Sequence, residues 1–558
     1  MSLCAKKKLL LPAYLLAFLA ALGFLLWKCR YGYANMDEAF YLTIPYRLCR
    51  GDCLIVHEWH LSQLSGFLLW PAMWFDQLLF RDTEGILLRF RLLFTFAWAA
   101  GALFLYARLR RFSRAGAMLG SLVFLLYAPF GIMALSYNSM GILLLLSSCT
   151  LAASAEGRRR GEYALAGLLF AGSVLCCPYL LLAYLLFTAL SVALRLRGRG
   201  GLLRCWLPFT LGCAVLLLLF CAALLRRASP EALLRALPEL FRDPEHESMP
   251  LVQQSGAYLL AIVRESPLIP FAAAALVLIS LLSRWRKAPA WGLAALCLPC
   301  LLMQAECLLR TPYLNFFMFP LNLFAPYCAL HSQDRGVRLP FLTIWLPGAL
   351  YTYCISLSSN QGFYAISSAS TVMTVASVVM LLRFVQTLGA YDVRRLSRRA
   401  ALVGTALVLL VQFYGEARLR YNTVFWEPGM REQTALAESG PERGILMSPE
   451  RLDSYLEGER DAALIRSRPE LQKLLFLSER THLYLSTQRE IAAFSAWLSK
   501  VNETSLERLE RYYALCPEKL PDAIYIEPEF ASYTARVEAW GYCAETLDSG
   551  AYLLTKGA

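Results

Sequence analysis

Runs of about twenty apolar residues follow one another along most of the chain, parted by short polar stretches. Such a run, at roughly 1.5 Å of rise per helical residue, crosses a hydrocarbon core of about 30 Å. The pattern predicts thirteen spanning helices, at residues 9–27, 88–107, 115–133, 139–154, 163–176, 178–194, 203–225, 267–282, 290–306, 312–330, 339–357, 365–386 and 400–415. Between residues 163 and 194 the pair Cys177-Pro178 marks either a turn or a kink. Three longer polar regions remain: 28–87, about 226–266, and a tail over 416–558. Within the first, Leu64–Phe80 is apolar and rich in Trp and Phe, with Pro71 in its middle. It suits a helix lying in the membrane interface better than a full span.

The tail alternates strand-like and helical runs. Gly444–Ser448, Lys473–Ser478, Thr481–Ser486, Ala523–Ile526 and Ala551–Thr555 read as strands. Helical patterns start at Ser448 or Pro449 and run over Ser505–Leu515, so the tail reads as a small α/β domain. The expected organisation is a membrane domain over 1–415, with a functional first loop at 28–87, and an accessory α/β domain over 416–558.

Composition agrees with membrane insertion: of 558 residues, 58% are hydrophobic and 17% charged. The net charge of +13 does not point to nucleic acid. Basic clusters at 6–8, 108–114, 158–160, 195–204, 284–287, 335–338 and 394–399 all fall on one side if each predicted helix crosses once. By the positive-inside rule that side, with the N-terminus, is cytoplasmic and the tail is extracytoplasmic. The tail itself carries 17 Lys and Arg against 23 Asp and Glu. Lys6-Lys7-Lys8 before a long apolar run looks like a signal peptide, but the run is too long and no small-residue cleavage site follows, so it reads as a retained first span. Most of the seventeen cysteines lie in apolar runs and act as small hydrophobes, whereas Cys516 and Cys543 in the tail are placed to pair, as are Cys49 and Cys53 less favourably.

Candidate chemistry concentrates in the first loop. Asp37 and Glu38, within Tyr33-Ala34-Asn35-Met36-Asp37-Glu38-Ala39-Phe40-Tyr41, stand about ten residues past the first span. A carboxylate at the membrane surface accepts a proton from an attacking hydroxyl or amine. Position alone also fits a solvated acidic pair. Glu58 and His60, with His57 beside them, and His246 in the second polar region gather most of the five histidines near carboxylates. That is an open ligand set for a divalent metal ion or simply solvated loops.

An Asp-Glu pair just after the first span resembles the first-loop motif of the GT-C glycosyltransferases, which include the protein O-mannosyltransferases and the aminoarabinose transferase of lipid A. The resemblance continues through Tyr41, Gly51-Asp52, His57-Glu58-Trp59-His60-Leu61 and Leu87-Leu88-Arg89-Phe90. It extends to Arg310-Thr311-Pro312-Tyr313 with Pro320 beyond. It implies transfer of a sugar from a polyprenyl-phosphate donor to an extracytoplasmic glycan, lipid or protein acceptor, with inversion. Asp37 would be the general base, supported by Glu38. Arg310, His60 and Arg89 would hold the donor phosphate, and Tyr41, Asn138 and Tyr313 would contact substrate. Glu58 and His246 would be metal ligands. The chain departs from the family where Trp59-His60-Leu61 replaces a Lys-Pro-Pro or His-Pro-Pro sequence, and where Asn138 replaces a second Asp.

Two other readings remain. A transporter or lipid flippase needs ionisable residues near the middle of its spans, whereas almost every charge here is at a span end, Glu306 being the deepest exception. A membrane sensor with an outside ligand-binding domain needs no carboxylate pair in the first loop. In the tail, Ser448 and Ser478 have no neighbouring His and so no nucleophile constellation.

Overall fold

The computed structural model describes residues 3–33, 35–155, 159–197, 203–242, 250–311, 313–359, 361–388, 395–424, 427–498 and 501–556. Every predicted span is occupied by helix among these residues. Nine helices are long and apolar enough to cross a membrane, ten if Phe363–Ala369 and Thr371–Thr387, bent by 46° at their junction, make one span. The chain is thus a multi-pass integral membrane protein. The other three expected spans are short or interrupted: Arg114–Leu126, Arg160–Cys176, and the stretch from Leu314 to His331, which is broken into three short helices with Pro320 and Pro326 inside. A proline lacks the N–H that an unbroken helix needs. Thirteen crossings are therefore not established. Cys177 is extended, between a helix ending at Cys176 and a 3₁₀ turn starting at Pro178.

Helix α1 (Leu3–Lys28) ends in a turn that meets the tail. Gly32 N donates to Leu446 O at 2.7 Å, and Leu446 N donates to Arg30 O at 2.7 Å. Gly32 has φ +78° and a Cβ there would come within 2.1 Å of Val424, so both backbone and packing require glycine. The next segment is a helix, α2 (Asn35–Cys49), where the sequence pattern suggested only a loop. Its apolar residues surround it, because it is buried on nearly all sides, and the amphipathic period that marks a surface helix is missing. Asp37 and Glu38 occupy its first turn, where carboxylates complement the helix dipole.

Helix α3 (Gly66–Phe80) occupies the segment expected in the interface. One face buries Leu69, Met73 and Asp76, while Trp74, Phe75, Leu78, Leu79 and Phe80 are exposed. An exposed apolar face of this kind suits lipid. Helix α4 (Ile86–Leu109), long and apolar enough to cross, comes next, followed by α5 (Arg114–Leu126) and α6 (Tyr137–Ser154). The second polar region contains helices Pro230–Ala236 and Leu251–Glu265. The last membrane helix, Arg395–Asn422, runs through the expected domain boundary at 415/416.

The tail contains a short antiparallel pair, β1 (Ala435–Leu436) with β2 (Leu446–Met447), and a five-stranded sheet. The sheet comprises β3 (Lys473–Leu477), β4 (Glu490–Ile491), β5 (Ala523–Ile526), β6 (Tyr542–Thr546) and β7 (Tyr552–Lys556), in the order β4-β3-β5-β7-β6. β3 pairs in parallel with β4 and β5, while β7 is antiparallel to β5 and β6. Helices Pro449–Arg466, capped by Ser448, and Glu503–Leu515, capped by Asn502, complete the domain. Thr481–Ser486, expected to be a strand, instead leads into the helix Leu483–Thr487. A short apolar run carries no period that separates strand from helix. The described cysteines are all free. Cys516 is buried and Cys543 is exposed.

The tail is sewn to the first loop. Arg47 of α2 is the main stitch: it pairs with Asp52 and Glu58, each at 2.7 Å, and donates to Ala493 O in the tail at 3.0 Å. Trp59 N donates to Phe494 O at 2.7 Å, and Gly85 N to Gly440 O at 2.9 Å.

Candidate active site

The first turn of α2 separates its two acids. Asp37 is half-buried, and one turn on, the Tyr41 hydroxyl donates to its Oδ1 at 3.4 Å. Tyr137, at the start of α6, and Tyr364 are its electrostatic neighbours. The Tyr41 and Tyr137 ring centroids lie 6.0 Å apart, and Tyr313 packs edge-on against Tyr364 at 4.9 Å. Asn138 is buried beside Tyr137, and its Nδ2 has no hydrogen-bond partner among the described residues. Asp37, Tyr41, Asn138 and Tyr313, distant in sequence, thus belong to one aromatic-walled neighbourhood on the tail's side of the membrane.

This setting changes the acidity of Asp37. Burial pushes its carboxyl up to about 7; the Tyr41 hydrogen bond opposes the rise and the charge of Glu38 adds to it. A group titrating there is still basic enough to take a proton near neutrality. Because the pKa is raised, the proton-accepting form is lost as pH falls through about 7. If Asp37 is the base, transfer measured against pH should climb across that point and level off above it. A rate already flat from pH 5 to pH 8 would assign the base elsewhere.

Glu38 is committed differently. Its two oxygens accept from Arg91 Nε and Nη2 at 2.5 and 2.6 Å, and it is 2% exposed. Arg91 spends its other N–H groups on the carbonyls of Cys29, Tyr31 and Gly32. The pair therefore clamps the turn between α1 and α2.

The basic residues singled out for phosphate lie in three places. Arg89 makes a two-point ion pair with Asp76 of α3, at 2.6 and 2.9 Å, and stacks over Phe80. His60 accepts from Ser62 N through Nδ1 at 3.1 Å and packs on Phe40. Arg310 pairs with Glu306 at 2.5 Å, beside a small, mostly apolar cavity open to the outside whose other walls include Glu265, Met303, Phe316 and Phe363. Glu58 is buried against Arg47 and also accepts from His60 N, so it fits a metal ligand only by giving up those partners. His246 lies outside the described residues. Among the described residues, metal-ligating side chains gather instead at His57, Cys516 and Glu518, whose ligand atoms lie within 4.8 Å of one another.

Sequence reasoning missed Arg47, Arg91, Tyr137 and Tyr364. The arginines left one signal: an Arg inside or beside an apolar run implies a buried partner. The tyrosines left none, since aromatic residues are plentiful in every span.

No protein-family model matches this sequence, and no curated protein matches it. Solved structures align with it over nearly its whole length. One is the archaeal oligosaccharyltransferase AglB from Archaeoglobus fulgidus, in complex with an inhibitory peptide and a dolichol-phosphate. Identity is 12%, coverage 98% of this chain and 74% of that one, and the TM-score 0.46. Another is ArnT from Cupriavidus metallidurans bound to undecaprenyl phosphate, at 12% identity, covering 100% and 99% of the two chains with a TM-score of 0.49. ArnT in its apo state gives 13%, 98%, 99% and 0.49. Likeness at this level does not transfer an activity.

Proposed function

We propose that this protein transfers a sugar from a polyprenyl-phosphate donor to an acceptor on the tail's side of the membrane, with Asp37 as general base. The observation that carries the reading is Asp37 itself: a half-buried carboxylate with its pKa raised to about 7, ringed by tyrosines, where a glycolipid headgroup would lie. The acceptor hydroxyl or amine gives its proton to Asp37 and attacks the anomeric carbon. The bond from that carbon to the phosphate oxygen breaks, with inversion, and the electron pair leaves with the lipid phosphate. Tyr41, Asn138 and Tyr313 supply hydrogen bonds to sugar or acceptor.

The donor's phosphate needs fixed positive charge as it leaves. Arg310 stands at an apolar-floored cavity suited to an isoprenoid segment, and serves if phosphate displaces Glu306 from it. His60 and Arg89 serve only at the expense of Ser62 and Asp76. A divalent cation would find ligands in His57, Cys516 and Glu518 and would tie the first loop to the tail.

Purified protein incubated with radiolabelled polyprenyl-phosphate sugars and membrane extract should move label from one of them to an acceptor, and Asp37→Asn should not. No transfer from any donor in the panel would count against the reading. The transporter alternative asks for ionisable groups deep in the spans. The buried Glu416 bonds to Gln412 within about two turns of the tail-side end of its helix.

The basic clusters support a cytoplasmic N-terminus and an outside tail. Cys543, exposed on β6, is the probe for this; Cys516 is shielded against Val56. A membrane-impermeant maleimide applied to intact cells should label the protein, and Cys543→Ser should lose that label. Labelling that appears only after permeabilisation would reverse the orientation.

A further inference from the structure

The tail grips the membrane domain through one turn, residues 437–446, which is bonded on two sides. Toward α4, Gly85 N donates to Gly440 O at 2.9 Å and Leu87 N to Pro441 O at 3.2 Å. Glu84 fastens the same edge, its carboxylate accepting from Gly440 N at 3.1 Å. Toward the segment that leads into α2, Gly32 N donates to Leu446 O and Leu446 N to Arg30 O, each at 2.7 Å. Ala437 and Ile445 are fully buried between these two edges.

Glu442 lies in the middle of this turn and is 0% exposed. Asp52, Asp76 and Glu38, also buried, each meet an Arg. Glu442 makes no ion pair among the described residues. What faces it is phenol and acid: Tyr33 from the turn after α1, and Tyr455 and Glu459 from the helix Pro449–Arg466. The Tyr455 hydroxyl donates to Ser439 O at 2.9 Å, and Glu459 accepts from Ser486 Oγ. The His482 ring packs on Tyr33 and Tyr455, with centroids 6.2 and 5.1 Å away. The nearby cations are engaged elsewhere: Arg451 with Glu427, Arg480 with Glu457 and Glu527, and Arg91 with Glu38. An ionised carboxylate sealed among such neighbours is costly, so the closed turn favours the neutral acid.

We propose that Glu442 is a proton-operated latch: as a neutral acid it lets the turn 437–446 close on α4 and on the segment leading into α2, and when it ionises that grip loosens. The step moves one proton from the carboxyl to water. Burial pushes the Glu442 carboxyl up to about 8; the hydroxyls of Tyr455 and Tyr33 oppose the rise and the charge of Glu459 adds to it. The closed turn therefore keeps a proton that the open turn, with Glu442 in water, gives up. Closure is strongest below the ordinary carboxylate range. It weakens by about tenfold per pH unit above that range, and levels off once pH passes about 8. The latch does not depend on the transferase reading. That reading adds a consequence, since the gripped segment leads to Asp37 in the first turn of α2.

The test is hydrogen exchange of the purified full-length chain in detergent, read by mass spectrometry on peptides containing Gly32, Gly85 and Leu446, whose amides make the gripping bonds. Protection is taken relative to the unstructured rate at the same pH, which removes the pH dependence of exchange itself. Between pH 6 and pH 8.5 protection at these amides should fall by on the order of tenfold or more. Strand β5, in the centre of the sheet, should keep its protection. Glu442→Gln and Glu442→Met, uncharged at every pH, should hold the three amides as firmly at pH 8.5 as at pH 6. Glu459→Gln should show the parent's dependence. Protection in the parent that does not change over this range overturns the latch, whatever the variants do. So does a dependence that persists in both Glu442 variants, or one that disappears in Glu459→Gln instead. Equal loss in β5 would mean that the whole tail unfolds, and would overturn it too.

Discussion

Asp37→Asn should abolish most sugar transfer, by about 10²–10⁴-fold, the usual loss when a general base is removed. Donor binding should persist. The amide has the shape of the carboxylate and still accepts the Tyr41 hydrogen bond seen at 3.4 Å, but it cannot take a proton. Folding should hold as well, because Asp37 makes no ion pair among the described residues and its burial already disfavours the charged form. Turnover and donor affinity have to be measured on the same preparation. Lost turnover with unchanged affinity supports the assignment; full turnover in Asp37→Asn would remove the mechanism and return the transporter and sensor readings to the front.

Glu38→Gln should fail for a different reason. It leaves the Arg91 guanidinium buried without its counter-charge, and breaking one side of such a pair costs about 3–5 kcal/mol. That is a large share of the roughly 5–15 kcal/mol that holds a typical domain. The damage should appear as poor expression and a lowered unfolding midpoint, because the Arg91 carbonyl contacts that shape the turn before α2 depend on the same group. Glu38→Met combined with Arg91→Met should recover part of the stability, since two apolar groups bury together without the desolvation cost. A Glu38→Gln protein that folds like the parent yet turns nothing over would instead make Glu38 a reacting group.

These contrasting expectations for adjacent acids show where sequence reading ended. Adjacency placed Asp37 and Glu38 together at the first loop; successive helical residues project about 100° apart, so they meet different partners. The partner of Glu38 is Arg91, 53 residues on, and the neighbours of Asp37 come from α6 and from Tyr364. Arg89 and Arg91, two residues apart in α4, likewise separate, one to Asp76 of α3 and one to Glu38. Helix α2 escaped notice because burial on all sides erases the polar face that would have shown its period.

What the sequence by itself determined is whatever the bilayer imposes residue by residue. Hydrocarbon demands about twenty consecutive apolar residues and a backbone that satisfies its own hydrogen bonds. Membrane spans, the apolar segment of α3 and the polar tail are therefore written in local composition. Short or proline-broken segments such as Arg114–Leu126 and Leu314–His331 fall below that threshold, and composition alone does not say whether they cross. Only the tertiary structure decided which charges are spoken for. Arg47 reaches Ala493, Lys28 touches Met430, and Arg420 holds Gly131, each across hundreds of residues. Pairing of a buried charge is a property of what packs against it, and no local pattern in the chain carries that information.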